Sequence, residues 1–319
     1  MLSTQRIPNL LSRCGHAFAE GVAWSDPSCS SPDRRYMFFI GHGSSSRGGI
    51  SAIRHRTLII MSNHVALVTG AAQGMGRAIA LQLANDGFDV AVNDVPSKTG
   101  PLEALTKEID NIGRTSLVVA GDVTSEVQVK GMVDDVVAKL GSLDVMVANA
   151  GIFQKSTLLD SPLEEFDQTV GVNAKGPLLC YKYAAKQMIS QGRGGRLIGA
   201  ASAASKRPYP GGLSYVMSKF AMRGLTQTAA VELGEHNITV NAYAPGFILT
   251  PMLEMYDADS AKEQGHAPGE FIERGANALP LKRVGTVQDV AKLVSFLASD
   301  KASYITGQTY SIDGGLVPS

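Results

Sequence analysis

Nowhere does the sequence hold the roughly 18 consecutive apolar residues that a membrane-spanning helix requires; its longest candidates, such as HVALVT at 64–69, are strand-sized. A membrane-spanning protein is excluded on that count. Cysteine is scarce. Of three, Cys14 and Cys29 fall in the first 60 residues and only Cys180 lies beyond them. The later part therefore has no internal disulfide and no cysteine-based metal site, and a reducing compartment is the natural reading. His64, His236 and His266 are scattered, with no His/Asp/Glu cluster at ligand spacing, so no metal is expected. Net charge is absent as well, at +0 from 29 basic and 29 acidic side chains. Neither nucleic acid nor an anionic membrane surface is expected as a partner.

What is present is a chain of 319 residues, 44% of them hydrophobic, with 34 glycines. That is the composition of a globular protein long enough to bury a large core. Charge is distributed unevenly. Residues 1–60 hold seven Arg, no Lys and three acids, Glu20, Asp26 and Asp33. This Ser-rich, Arg-rich stretch reads as an N-terminal extension, disordered or transit-like. The alternative is a start at Met61, which is followed at once by the strand-like MSNHVALVTG. A cytoplasmic location is expected, or a mitochondrial one if the extension is a real transit peptide.

From residue 64 onward, short β-branched runs alternate with helical stretches: HVALVT, FDVAVND, SLVVAGD, DVMVANAG, RLIGAAS, ITVNAYAP and TYSID are the strand candidates. One long helix is expected over 164–190. Strands apolar on both faces imply a parallel sheet covered by helices on each side. The expected fold is α/β, a doubly wound parallel sheet of the Rossmann type, forming one domain over 61–319.

Directly after the first strand comes TGAAQGMGRAIA, in which Gly70, Gly74 and Gly76 open a helix. Glycine permits a tight turn and close backbone approach to a pyrophosphate, whose charge then meets the helix N-terminus. The second strand ends in Asp94, placed to accept the adenosine ribose hydroxyls and to repel a 2'-phosphate. NAD is therefore favoured. Arg77 and Lys98 leave NADP open, and Asp94 can also be read as a turn carboxylate capping the next helix. Asp122, ending the third strand, suits contact with the adenine edge, or is simply a loop acid.

In the stretch SYVMSK, Tyr215 and Lys219 stand four apart on an expected helix and so share a face. A free phenol, with a pKa of about 10, is a poor proton shuttle at neutral pH, and an adjacent ammonium is expected to lower it. Ser202 ends the fifth strand and can donate to a substrate carbonyl; Ser205 is its rival. Asn173, in VGVNAKG, can hold a relay water or be purely structural.

Taken together and in this order, Thr69-Gly70-x-x-x-Gly74-x-Gly76, Ala148-Asn149-Ala150-Gly151, Asn173, Ser202, Tyr215-x-x-x-Lys219 and Pro245-Gly246 resemble the short-chain dehydrogenase/reductase family over residues 64–319. Ala148 departs from the pattern, since many members have a first asparagine there. The resemblance implies a catalytic tetrad. In it Tyr215 is the general acid or base, Lys219 also holds the nicotinamide ribose, Ser202 orients the carbonyl and Asn173 positions the water. It extends the cofactor contacts to Gln73 and Met75 in the glycine turn, Val123 beside Asp122, Asn149, Gly151, Tyr215 and Lys219 themselves, Pro245, Gly246, Ile248 by its backbone, and Thr250. It also implies a homotetramer packed through the helices bearing Asn173 and Tyr215.

Within the family, TGAAQGMGRAIALQLANDGFDVAVND, NAYAPGFILTPM and TGQTYSIDGG are most similar to diacetyl/acetoin reductases and 2,3-butanediol dehydrogenases. That implies an enzyme acting on a small ketone or secondary alcohol. The pocket cover is expected at 251–283, with Met252, Leu253, Met255 and Phe271 as apolar linings. An NADPH-dependent 3-oxoacyl or polyol reductase is the rival among enzymes. A nucleotide-binding protein without turnover is the rival of another class.

Overall fold

The computed structural model describes residues 64–318; the expectations for residues 1–60 and for Met61 lie outside them. Seven strands form one parallel sheet in the order β3-β2-β1-β4-β5-β6-β7. They are β1 (Val65–Thr69), β2 (Asp89–Asn93), β3 (Ser116–Val118), β4 (Val145–Ala148), β5 (Gly195–Ala200), β6 (Ile238–Pro245) and β7 (Thr309–Ile312). The helices between them are α1 (Gly74–Asn85), α2 (Thr99–Asn111), α3 (Glu126–Leu140), α4 (Leu163–Val170), α5 (Gly176–Gln191), α6 (Leu213–Leu233), α7 (Pro251–Gln264), α8 (Glu270–Ala278) and α9 (Val287–Ala298). No helix among the described residues is long and apolar enough to cross a membrane.

Strand periodicity explains the two cores. In β1, Val65 and Leu67 face one side of the sheet while Ala66 and Val68 face the other, all four fully buried. The first side is closed by Val129, Val133 and Val136 of α3, Leu179 and Met188 of α5, and Met222 of α6. The second is closed by Ile79 and Leu83 of α1, Leu102 and Leu105 of α2, and Val290 and Val294 of α9. Each such side chain stabilises the fold by roughly 1.5–3 kcal/mol relative to exposure. That is why runs such as VALVT carry no polar face. Cys180 lies in the first core as a free thiol, and burial pushes it up to about 12, so it is unreactive.

Two elements depart from the sequence expectation. β3 covers only Ser116–Val118, although backbone pairing beside β2 runs on: the Val119 amide donates to the Val92 carbonyl and the Gly121 amide to the Asp94 carbonyl, each at 3.0 Å, and the Asn93 side-chain amide donates to the carbonyls of Val119 (2.8 Å) and Gly121 (3.0 Å). The helix expected over 164–190 is interrupted by a π-helical turn, Gly171–Lys175, between α4 and α5. Strand order reverses between β1 and its neighbours β2 and β4, and a crevice opens at the carboxyl ends of the strands at such a point.

Candidate active site

The glycine turn between β1 and α1 is built by two different requirements. Gly70 (φ 65°) and Gly74 (φ 57°) occupy the left-handed region. Gly76 is needed for space, since a Cβ there would stand 2.1 Å from the Gly70 carbonyl oxygen. Asn149, at the end of β4, pins the same turn. Its Nδ2 donates to the carbonyls of Thr69 (2.9 Å) and Gly70 (3.1 Å), and its Oδ1 accepts from the Tyr243 hydroxyl at 2.8 Å. Asn149 therefore lines the cleft while its side chain braces the loop. The N-cap of α1, Gln73, forms no side-chain cap, which leaves the first-turn amides to the cleft.

That cleft has a volume of about 1420 Å³ and runs along the carboxyl edge of the sheet. It brings together Gly70, Gln73, Gly74, Met75, Gly76, Asp94, Asp122, Val123, Asn149, Gly151, Ser202, Tyr215, Lys219, Pro245, Gly246, Ile248 and Thr250, all expected from the sequence. A dinucleotide fits this donor set, with uncapped helix amides, a cradle that a Cβ would fill, and a carboxylate at the end of β2. Asp94 accepts from the amides of Ala72 (3.1 Å) and Val95 (2.9 Å), which holds its carboxylate at the lining. Arg77 is paired instead with Glu108 on α2 at 2.5 Å and does not line the cleft, whereas Lys98 does.

At the other end of the cleft, α6 presents Tyr215 and Lys219 on one face, the ammonium 5.3 Å from the ring centroid. Lys219 is 4% exposed and its Nζ donates to the Ala200 carbonyl at 2.8 Å. Burial lowers it to about 8, so it remains a cation at neutral pH. The expectation that the ammonium lowers the phenol is corrected here. Burial pushes Tyr215 above its ordinary range, and the opposing influence is a hydrogen bond with Ser202, not Lys219. Ser205 drops out as the rival: its hydroxyl donates to the Ser202 carbonyl at 2.6 Å, buried away from the cleft.

Asn173 is the one expected tetrad residue absent from the lining. It is 1% exposed, sits in the π turn, and forms a two-way pair with Ile152, giving Nδ2 to the carbonyl and taking the amide on Oδ1, both at 2.8 Å. It also donates to Ser218 at 3.2 Å. Asn173 thus fixes the backbone next to Phe153.

Sequence reasoning missed the aromatic wall. Phe153 meets the Tyr215 ring edge-on at 5.3 Å and the Tyr256 ring at 5.3 Å; Tyr256 meets Phe271 at 4.8 Å, and Phe271 meets Phe247 at 5.8 Å. Of the four expected cover residues, Met252, Leu253 and Phe271 line the cleft. Met255 does not; α7 turns it outward to a separate side cavity. Helical spacing could have found Tyr256, which lies four residues after Met252 and three after Leu253.

A family model described as Enoyl-(Acyl carrier protein) reductase matches residues 70–317. The chain is 47% identical to a short-chain dehydrogenase/reductase of Armillaria gallica, over 81% of this chain and 97% of that one. It belongs to the short-chain dehydrogenase/reductase family. A 3-oxoacyl-(acyl-carrier-protein) reductase of Staphylococcus epidermidis is 43% identical over 80% of this chain and 99% of its own length. The solved acetoin dehydrogenase of Salmonella typhimurium is 37% identical, with a TM-score of 0.69, over 79% of this chain and 95% of that one. As a short-chain dehydrogenase/reductase, the protein is an oxidoreductase of carbonyl and CH–OH groups that uses NAD(P)(H).

The buried lysine of this dehydrogenase/reductase also makes a stability prediction. The unfolded chain keeps the Lys219 proton up to its ordinary value of 10.5, while the folded chain releases it near 8. In that window the unfolded state binds more protons, so folding stability rises with pH. Between pH 8 and 10 the native protein is expected to gain about 2 kcal/mol relative to Lys219→Met. Parallel thermal melts of the two proteins across that range check it; parallel pH dependence would refute it.

Proposed function

We propose that the protein interconverts a small ketone and its secondary alcohol with NAD(H), in the manner of a diacetyl/acetoin reductase or 2,3-butanediol dehydrogenase. The observation that carries this reading is that Ser202, Tyr215 and Lys219 line one cleft, with Tyr215 where that cleft meets the aromatic wall. A nicotinamide bound in the cleft supplies or accepts a hydride. In the reductive direction, Ser202 Oγ and Tyr215 Oη hold the substrate oxygen as it gains negative charge, and Tyr215 Oη passes its proton to that oxygen. Because burial keeps the phenol protonated at neutral pH, the proton is there to give. Lys219, still a cation, lies beside the phenolate that remains. Phe153 and the cover residues Tyr256 and Phe271 exclude water from the reacting oxygen. Oxidation of the alcohol runs the same proton transfer backwards.

The preference for NAD rests on Asp94 at the lining and on the pairing of Arg77 with Glu108. A homotetramer is part of the same reading, supported by exposed Leu178 on α5 and Met217, Phe220 and Val231 on α6. The test is steady-state kinetics with diacetyl and each cofactor. NADH is expected to exceed NADPH in kcat/KM by at least about tenfold, and Asp94→Ala to erase most of that ratio. Preference for NADPH would overturn the cofactor assignment. A second reading, a 3-oxoacyl reductase, is favoured by Arg207, whose guanidinium stands exposed at the cleft and makes no hydrogen bond or ion pair among the described residues. Inert diacetyl with turnover of a 3-oxoacyl thioester would select it.

A further inference from the structure

The cover is assembled in an unusual way. The N-cap of α8 is Gly269, in the left-handed region at φ 89°, which has no side chain with which to cap the helix. The missing acceptor comes from α7. Asp257, 5% exposed, takes the Gly269 amide on Oδ2 at 2.6 Å and the Ile272 amide on Oδ1 at 3.2 Å. Those are the N-cap and N3 amides of α8, so one carboxylate satisfies two of its free donors from another helix. Two of the three partners in this clamp adjoin a ring of the aromatic wall: Asp257 follows Tyr256, and Ile272 follows Phe271. The two rings meet at 4.8 Å.

We propose that Asp257 is a positioning residue for the substrate end of the site, locking α8 to α7 so that Phe271 and Tyr256 form one wall across from Tyr215. Its effect falls on substrate capture, because the Asp257 carboxylate bonds only the Gly269 and Ile272 amides, whereas α7 meets the dinucleotide end through its own N-cap, Thr250, which keeps its bond to the Leu253 amide. This rests on the reading that the aromatic end of the cleft receives the carbonyl substrate.

The test uses the full chain and the variants Asp257→Ala, Asp257→Asn and Phe271→Leu, with diacetyl and ethyl acetoacetate as probes. Asp257→Ala is expected to raise KM by about tenfold with kcat changed less than about threefold, and Asp257→Asn, which keeps one acceptor oxygen, to fall between. NADH affinity is expected to stay at the native value. Asp257→Ala combined with Phe271→Leu is expected to lose no more than the worse single variant, since both act through the same ring. Hydrogen exchange over 266–279 is expected to accelerate in Asp257→Ala without change over 70–85. Unchanged exchange over 266–279 would overturn the clamp. An unchanged KM, or KM and NADH affinity weakening together, would overturn the positioning role. If neither probe turned over, the substrate reading would fall, while the exchange measurement would still decide the clamp.

Discussion

Tyr215→Phe is expected to lower kcat/KM for carbonyl reduction by about a thousandfold, or about 4 kcal/mol of transition-state stabilisation, while NADH affinity changes less than about twofold. The substitution removes one atom, the Oη that gives up the proton in the proposed reaction. It leaves the ring, and with it the edge-on contact to Phe153 at 5.3 Å and the cation over the ring face. The wall and the helix should therefore stand, and the glycine turn and Asp94 are not altered by the loss of the hydroxyl. Residual turnover is expected because Ser202 still donates to the substrate oxygen. A thermal melt close to native, an intact NADH titration and a collapsed kcat together would place the loss in proton transfer. A variant retaining more than about a tenth of native kcat/KM would show that another group supplies the proton.

The parts of this site that the sequence made legible are those with short-range signatures. Tyr215 and Lys219 share a face because they are four apart, and the glycine turn follows a strand and opens a helix; both are local facts. The apolar runs of β1, β2, β4, β5 and β6 were legible for the same reason, since burial on both faces leaves no polar alternation, while the edge strands β3 and β7 are only half-buried. What stayed hidden depends on convergence across the chain. The π turn at Gly171–Lys175 has no distinctive periodicity, so Asn173 read as an ordinary helical residue, although it binds Ile152 some twenty residues away. Phe153, Tyr256 and Phe271 lie on separate segments, and only the fold brings their rings together. The direction of the Tyr215 shift was hidden too, because the degree of burial cannot be read from spacing.

The second large effect concerns space, not chemistry. Gly76→Ala is expected to weaken NADH binding by at least about fiftyfold and to destabilise the fold by about 2–3 kcal/mol. The added carbon would lie 2.1 Å from the Gly70 carbonyl oxygen and 2.5 Å from Asn149 Nδ2. Neither can retreat easily. Asn149 is tied to Thr69, Gly70 and Tyr243, and Gly70 itself abuts Ala150, whose Cα a Gly70 side chain would meet at 2.8 Å. The glycine turn must then move away from α1, which takes the first-turn amides out of line with the phosphate path. Two comparisons separate crowding from backbone strain. At Gly74 an added Cβ would find nothing nearer than 3.7 Å, so Gly74→Ala bears only the left-handed penalty of about 1–2 kcal/mol and should bind NADH better than Gly76→Ala. At Gly131, exposed within α3 and with nothing inside 4 Å, alanine should bind NADH like the native protein and gain up to about 1 kcal/mol of stability. Fluorescence titration with NADH and thermal melts of the three variants give the ranking. If Gly76→Ala bound NADH as tightly as Gly131→Ala, the cofactor would not be lying against this turn.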